Sequence, residues 1–159
     1  MATPDFVLAL REKIGHAPLW LSGITAVVVR EEAGGSEVLL VRRADNGAWT
    51  PVTGIIDPGE EPAVAAAREV LEEAAIVAEP VRLTWVHTIP EIVYPNGDRS
   101  QYIDIAFLFR YVSGEPYPAD GENTEARWFA LDALPEMSAE MTARLQQCLA
   151  GTPEARFAF

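Results

Sequence analysis

The sequence predicts an α/β fold of the α+β type, a mixed β-sheet with flanking helices. Three observations lead there. β-branched and aliphatic runs come in pairs joined by turn-rich connections, so hairpins dominate. Two longer stretches carry helical spacing instead, one mid-chain and one near the end. The resulting order of strands, helix, strands, helix suits a mixed rather than an all-parallel sheet, with helices packed on it. The 159 residues are 49% apolar and 23% charged. A chain of that size buries roughly two thirds of its unfolded surface in one core, so residues 1–159 are read as a single domain.

The elements follow in order. "DFVLALREKIG" reads as a short amphipathic helix ended by Gly15, within an N-terminal extension over residues 1–20. "ITAVVVRE" and "EVLLVRR" read as a hairpin through "EAGGS". "NGAWTPVTGIIDPGEE" is a long loop or broken strand, interrupted by Gly and Pro. A helix follows, with Pro62 in its first turn, where a missing N–H costs little. "VRLTWVHTIPEIVY" and "SQYIDIAFLFRYV" flank "PNGD", a strong hairpin signal. "EARWFAL" is a further strand. "SAEMTARLQQCLAG" closes the chain as a helix with Ser138 as N-cap and Gly151 past its end.

Composition excludes several function classes. The longest apolar runs, such as "ITAVVV", are too short to cross a bilayer, and the N-terminus lacks a basic region followed by a long apolar stretch. Cys148 is the only cysteine, so no internal disulfide forms, which suits a reducing cytoplasm. A net charge of -12 disfavours nucleic acid and anionic lipid as partners. Lys13 is the only lysine; the other cations are arginines, which suit bidentate phosphate contacts. The apolar segment "HAPLWLSG" offers a surface for a homodimer contact.

The central helix is charged against its own electrostatics. At 100° per residue, Ala63, Ala67, Val70 and Ala74 form the expected core-facing stripe, with Glu69, Glu72 and Glu73 on the opposite side. Glu69 and Glu73 are a repulsive pair four apart, and all three acids sit in the last two turns, where the helix dipole is negative. Only Arg68 stands at helical spacing, four before Glu72. Charged faces are ordinarily just solvated. A bound divalent cation would remove the penalty, because Mg²⁺ and Mn²⁺ take hard oxygen ligands that adjacent helical turns deliver to one point. Glu60, after the tight "DPG" turn, is placed to salt-bridge Arg68 or to serve as an ordinary helix N-terminal acid.

The spacing G-x5-E-x7-R-E-U-x-E-E-x-G-U, with U aliphatic, resembles the signature of the Nudix (MutT-like) hydrolase family. It runs here over residues 54–76 as Gly54, Glu60, Arg68, Glu69, Val70, Glu72, Glu73 and Ile76, with Ala75 in place of the family's glycine. Alanine there either takes a left-handed conformation, at roughly 1 kcal/mol, or prolongs the helix. The preceding "PVTG" departs from the family's Pro-Gly-Gly, so Thr53 supplies the backbone carbonyl that a glycine gives elsewhere. The strand order and "EARWFALDALP" extend the likeness over most of the chain.

The resemblance implies the Nudix fold, an α/β/α sandwich, and Mg²⁺- or Mn²⁺-dependent hydrolysis of a small-molecule substrate, a nucleoside diphosphate joined to another group. It assigns Glu69, Glu72 and Glu73 as metal ligands beside the Thr53 carbonyl. Arg68 orients Glu60 and the carboxylates, and Gly54 and Glu60 give structural support. One of the helix acids, or Glu122 in the loop "ADGENTEARW", accepts the water proton; Glu125 in the same loop is read as structural. Substrate contacts expected from residue chemistry are Trp49, stacking on a base, and Arg43 and Arg99, holding phosphates. His87 reads as a core histidine. The competing reading is a non-catalytic nucleotide-binding or regulatory domain, against which a full set of acids argues.

Overall fold

The computed structural model describes residues 3–159. Helix α1 spans Asp5–Ile14, and strand β1, Leu19–Glu32, turns back into β2, Gly35–Arg43. Two short strands follow, β3 at Trp49–Thr50 and β4 at Val52–Ile55, and lead into α2, Pro62–Ala74. Then come β5, Val77–Thr88; β6, Ile92–Val93; β7, Arg99–Ser113; β8, Asn123–Ala130; and α3, Ala139–Leu149. Pro62 sits in the first turn of α2, and Ser138 caps α3 by accepting the Met141 N–H at 3.2 Å.

All eight strands join one mixed sheet whose main path is β3-β2-β1-β7-β5. The predicted hairpins are present: β1 and β2 pair antiparallel, and the Asn-Gly turn joins β6 to β7. The pair that makes the sheet mixed is parallel, β1 with β7, in continuous register from Leu19↔Ser100 to Val29↔Arg110. β4 pairs antiparallel with β1 (Thr25↔Thr53) and ends against α2, while β8 adds to β2. The segment read as a dimer surface is partly consumed within the chain. Leu19 and Trp20 belong to β1 and Leu21 is buried; Trp20 stays 58% exposed.

Side chains of β1 alternate between two layers. Ile24, Ala26 and Val28 meet Ala66, Val70 and Ala74 of α2. Val27, with Val38, Leu40 and Ala106, meets Leu145 and Cys148 of α3. Beside the α3 layer, Leu21, Ile55 and Tyr102 pack with Val7 of α1. On the α3 side Thr25 donates to Asp104 at 3.0 Å, and Arg144 reaches from α3 to both (3.0 Å to Thr25 Oγ1, 3.5 Å to Asp104). His87 lies 3.8 Å from Asp104, stacked on Trp85 with ring centroids 3.7 Å apart, as a core histidine.

The buried arc of α2 is wider than its apolar stripe. Ala65, Ala66, Glu69, Val70, Glu73 and Ala74 are all buried. Glu69 and Glu73 are therefore not opposite the core; they continue the line of Ala65 at four-residue spacing along its edge. Only Glu72 faces outward, half exposed. Ala75 takes the left-handed option, with φ 56° and ψ 27°, the only non-glycine residue with positive φ among those described. The helix ends there.

Candidate active site

Four segments converge at the C-terminal half of α2. Glu69 reaches back over β4, and its side chain occupies the place where a Cβ on residue 54 would stand. Gly54 is therefore required by close approach: any side chain there would displace the Glu69 carboxylate. Arg68 is the hub of the edge. Its guanidinium donates to Glu60 (2.9 and 3.0 Å), to Glu69 Oε1 (2.9 Å), to Glu72 Oε2 (3.1 Å) and to the Ile55 carbonyl (3.3 Å). Glu60 also accepts the Asp57 N–H at 3.2 Å, which fixes the turn before the helix. The Arg68 hydrogen bonds hold the Glu60 carboxyl below its ordinary value.

Arg68 offsets Glu69 and Glu72, but Glu73 takes its hydrogen bond from elsewhere. Glu73 is 4% exposed and accepts the Asn123 side-chain amide at 3.1 Å. Burial pushes its carboxyl up to about 7, with Glu69 and Asp120 adding repulsion. Glu69 is shifted the same way by burial, against the pull of Arg68.

The segment between β7 and β8 closes the site from above. Its Tyr117 and Ala119 N–H groups donate to the Ala74 and Glu73 carbonyls (3.0 and 3.4 Å), which the end of α2 leaves without helical partners. That docking brings two loop acids over the helix. Carboxylate oxygens of Glu73, Asp120 and Glu122 lie within 4.8 Å of one another. Glu122 is anchored at its backbone, where its carbonyl accepts the Ala44 N–H at 2.9 Å and its own N–H donates to Asp120. Glu69, Glu72, Asp57, Asp120, Glu122 and Arg68 line a cavity of about 260 Å³. The donor set is all carboxylate and partly buried, and it strains against its own repulsion. That chemistry fits a hard divalent cation.

A larger cavity, about 350 Å³, adjoins the first and shares Ile55 with it. It lies between α1 and the β6–β7 hairpin. Arg43, Tyr94 and Tyr102 line it. Arg43 is held bidentately by Asp45 (2.9 and 2.6 Å), and the field of Glu73 adds to the rise in its pKa.

The other residues singled out from the sequence fall in different places. Thr53 lies in β4, one residue before Gly54. Arg99 is paired with Glu91 at 2.7 Å at the foot of the hairpin. Trp49 packs in the α3-side layer, its ring 4.9 Å from Phe129 and edge-on, so the structure does not bring it to the acidic cluster. Glu125 binds Arg42 and Arg127. Asp120 was missed. A second acid two residues before Glu122, in the same glycine-flanked loop, was the available signal for Asp120.

Comparison with known proteins points to one family. The family model of the NUDIX domain matches residues 21–150. A "MutT-like protein" of Streptomyces ambofaciens is 36% identical over 136 residues, covering 84% of this chain and 80% of that protein. A protein named NAD-capped RNA hydrolase NudC, from Pseudomonas aeruginosa, is 33% identical over 67% of this chain, which spans 36% of that protein's length. Among solved structures, a MutT NUDIX hydrolase from Burkholderia pseudomallei superposes with a TM-score of 0.64 at 28% identity, covering 81% of this chain and 98% of that one.

Proposed function

The chain belongs to the Nudix hydrolase family, and we propose that it hydrolyses the diphosphate linkage of a nucleoside diphosphate joined to a second group, in the presence of Mg²⁺ or Mn²⁺. The observation that supports this reading is the meeting of helix and loop carboxylates, Glu69 and Glu73 with Asp120 and Glu122, beside a cavity large enough for a small molecule. Glu69, Glu72, Glu73, Asp120 and the Thr53 carbonyl are the groups that would hold the cation. When bound, it supplies charge neutralisation for the phosphates and lowers the pKa of water.

The chain's own residues do the rest. Arg68 fixes Glu69 and Glu72 through one nitrogen and Glu60 through two others, so the carboxylates are oriented before substrate arrives. Glu122 faces these groups from the loop, and we assign its carboxylate as acceptor of the proton of the attacking water. Arg43, in the wall of the larger cavity, is placed to exchange its Asp45 partner for a substrate phosphate. A small-molecule substrate rather than a capped RNA is favoured by the net charge of -12, which repels a polyanion.

The test is a panel of nucleotide sugars, dinucleoside polyphosphates, dinucleotides such as NAD, and nucleoside triphosphates, assayed with Mg²⁺ or Mn²⁺ and with EDTA. Cation-dependent cleavage between two phosphorus atoms of at least one diphosphate is expected. Binding of these compounds with no turnover of any would replace this reading by the non-catalytic one.

A further inference from the structure

Helix α1 precedes the part of the chain that the family domain covers, residues 21–150, yet it forms one wall of the larger cavity. Little packing holds it there. Val7 is its one buried residue, set among Leu21, Ile55 and Tyr102, with Phe6 partly covered beside it. The directional bonds come from a single side chain, Arg11, which is 11% exposed. Its Nη1 donates to the Gly15 and Ala17 carbonyls (3.1 and 2.6 Å), where the chain leaves the helix. Its Nη2 donates to the Arg99 carbonyl (2.7 Å) and to Ser100 Oγ (3.1 Å), where β7 begins. Its Nε lies 3.6 Å from Asp98, in the turn of the β6–β7 hairpin. One planar fork therefore ties the helix and its exit to the hairpin. The single ammonium nitrogen of a lysine could not serve both sides.

The space that this clasp encloses suits a flat, largely uncharged body. Val7, Leu21, Ile55 and the rings of Tyr94 and Tyr102 line it, and the two phenol oxygens hydrogen-bond each other at 2.9 Å. The charged groups of the lining are already paired. Arg43 is held by Asp45, and Asp98 takes His16 (2.8 Å) and the Asn96 amide (2.9 Å) besides Arg11. Apolar walls and aromatic rings favour a nucleobase, whereas a free sugar would need a partner for each hydroxyl. Ile55 joins this space to the acidic cavity, and its carbonyl accepts from Arg68 at 3.3 Å. A group seated here lies next to the cluster where a diphosphate would be cleaved.

We propose that the larger cavity is the subsite for the nucleoside part of the substrate, and that Arg11 is the positioning residue that builds it by fixing α1 against the β6–β7 hairpin. This rests on the diphosphate-hydrolase reading above. It makes α1 part of the substrate site, although α1 contributes no residue to the acidic cluster.

The probes are AMP, GMP, CMP and UMP, titrated calorimetrically in Mg²⁺, with ribose 5-phosphate as the control that lacks a base. At least one nucleotide should bind the parent about tenfold or more tightly than ribose 5-phosphate. Arg11→Ala should weaken that nucleotide about three- to tenfold, because the wall is no longer fixed before binding, and leave ribose 5-phosphate within about twofold. Arg11→Lys keeps the charge and the stem, and it should follow the alanine variant. Thr3→Trp tests occupancy with the Arg11 bonds intact: Thr3 is exposed ahead of α1 and lines the cavity, so a bulky ring there should cost nucleotide affinity alone. On the best substrate of the panel, Arg11→Lys should raise KM by the factor seen in the titration, with kcat within about threefold. A parent that binds all five compounds alike, or a Thr3→Trp variant that keeps the full preference for the nucleotide, would overturn the subsite. Full preference in Arg11→Lys, or equal weakening of nucleotide and ribose 5-phosphate, would overturn the role of Arg11. Absence of turnover by the parent would count against the hydrolase reading alone, because the titration needs none.

Discussion

At the scale of single residues, the three helix glutamates are not equivalent. Glu72 is solvated and paired with Arg68; Glu69 is buried but also paired with Arg68; Glu73 is buried with only an amide donating to it. The electrostatic conflict visible in the sequence is therefore concentrated on Glu73. Its carboxyl is raised from 4.5 to about 7 by burial. Between those values the folded state binds more protons than the unfolded state, so stability falls as pH rises through this window. The cost is absent below about 4.5 and fully present above about 7. Glu73→Gln keeps the shape and can still accept from Asn123. In EDTA at pH 8 it should be more stable than the parent by about 1–3 kcal/mol, read as a denaturant midpoint, with the gain fading as pH falls. Its turnover should drop by orders of magnitude in Mg²⁺. A variant equally active and no more stable would mean that Glu73 is an ordinary edge residue.

At the scale of elements, α2 works because its end is irregular. The left-handed Ala75 stops the helix where the loop's Tyr117 and Ala119 can reach its last carbonyls. Gly114 makes the return possible: it has φ 106°, and a Cβ there would overlap the Ala75 carbonyl oxygen. Ala75 itself carries the strain of a left-handed alanine. Ala75→Gly should raise stability by about 1 kcal/mol in chemical denaturation, and turnover should stay within a few-fold, since position 75 supplies no side-chain ligand. A hundredfold change in turnover would show that the helix end sets the carboxylate positions more tightly than this geometry implies. The same contrast explains what the sequence could reveal. The β1–β2 and β6–β7 hairpins, the first turn of α2 and the caps of α3 were legible because they depend on neighbouring residues. The parallel β1–β7 pairing joins residues some eighty positions apart, and no local pattern encodes it. The burial of Glu69 and Glu73 was hidden for a related reason. An apolar stripe marks where a helix meets a core, but not how far a neighbouring strand or loop extends over its polar edge. Gly54 fitted the motif, yet the reason for a glycine there appears only once Glu69 lies across it.

At the scale of the whole molecule, the fold divides its labour between two layers. The layer under α2 presents acids; α1 and the β6–β7 hairpin line the neighbouring cavity, and Arg144 binds α3 to Asp104 at the sheet's centre. The acidic site is shared by parts that are far apart in sequence: Glu69 and Glu73 from α2, Asp120 and Glu122 from the loop after β7. A cation bound among them would link those parts, and the unfolded chain offers no such arrangement. Ligation should therefore stabilise the fold by mass action, about 2.7 kcal/mol when free cation is a hundred times its dissociation constant. The effect should depend on pH with a definite sign. Protons and the cation compete for Glu73, whose carboxyl in the cation-free protein is about half protonated near 7. Mn²⁺ or Mg²⁺ should accordingly raise the melting temperature more at pH 8 than at pH 6, and affinity should rise with pH across that interval. Glu73→Gln should lose most of this pH dependence along with much of the shift, whereas Glu125→Gln, at a residue engaged with Arg42 and Arg127, should keep both. The measurement is a thermal melt with and without millimolar cation at the two pH values. No shift at either pH would remove the cation from this cluster. A shift that is the same at pH 6 and pH 8 would keep the cation but take Glu73 out of its ligand set.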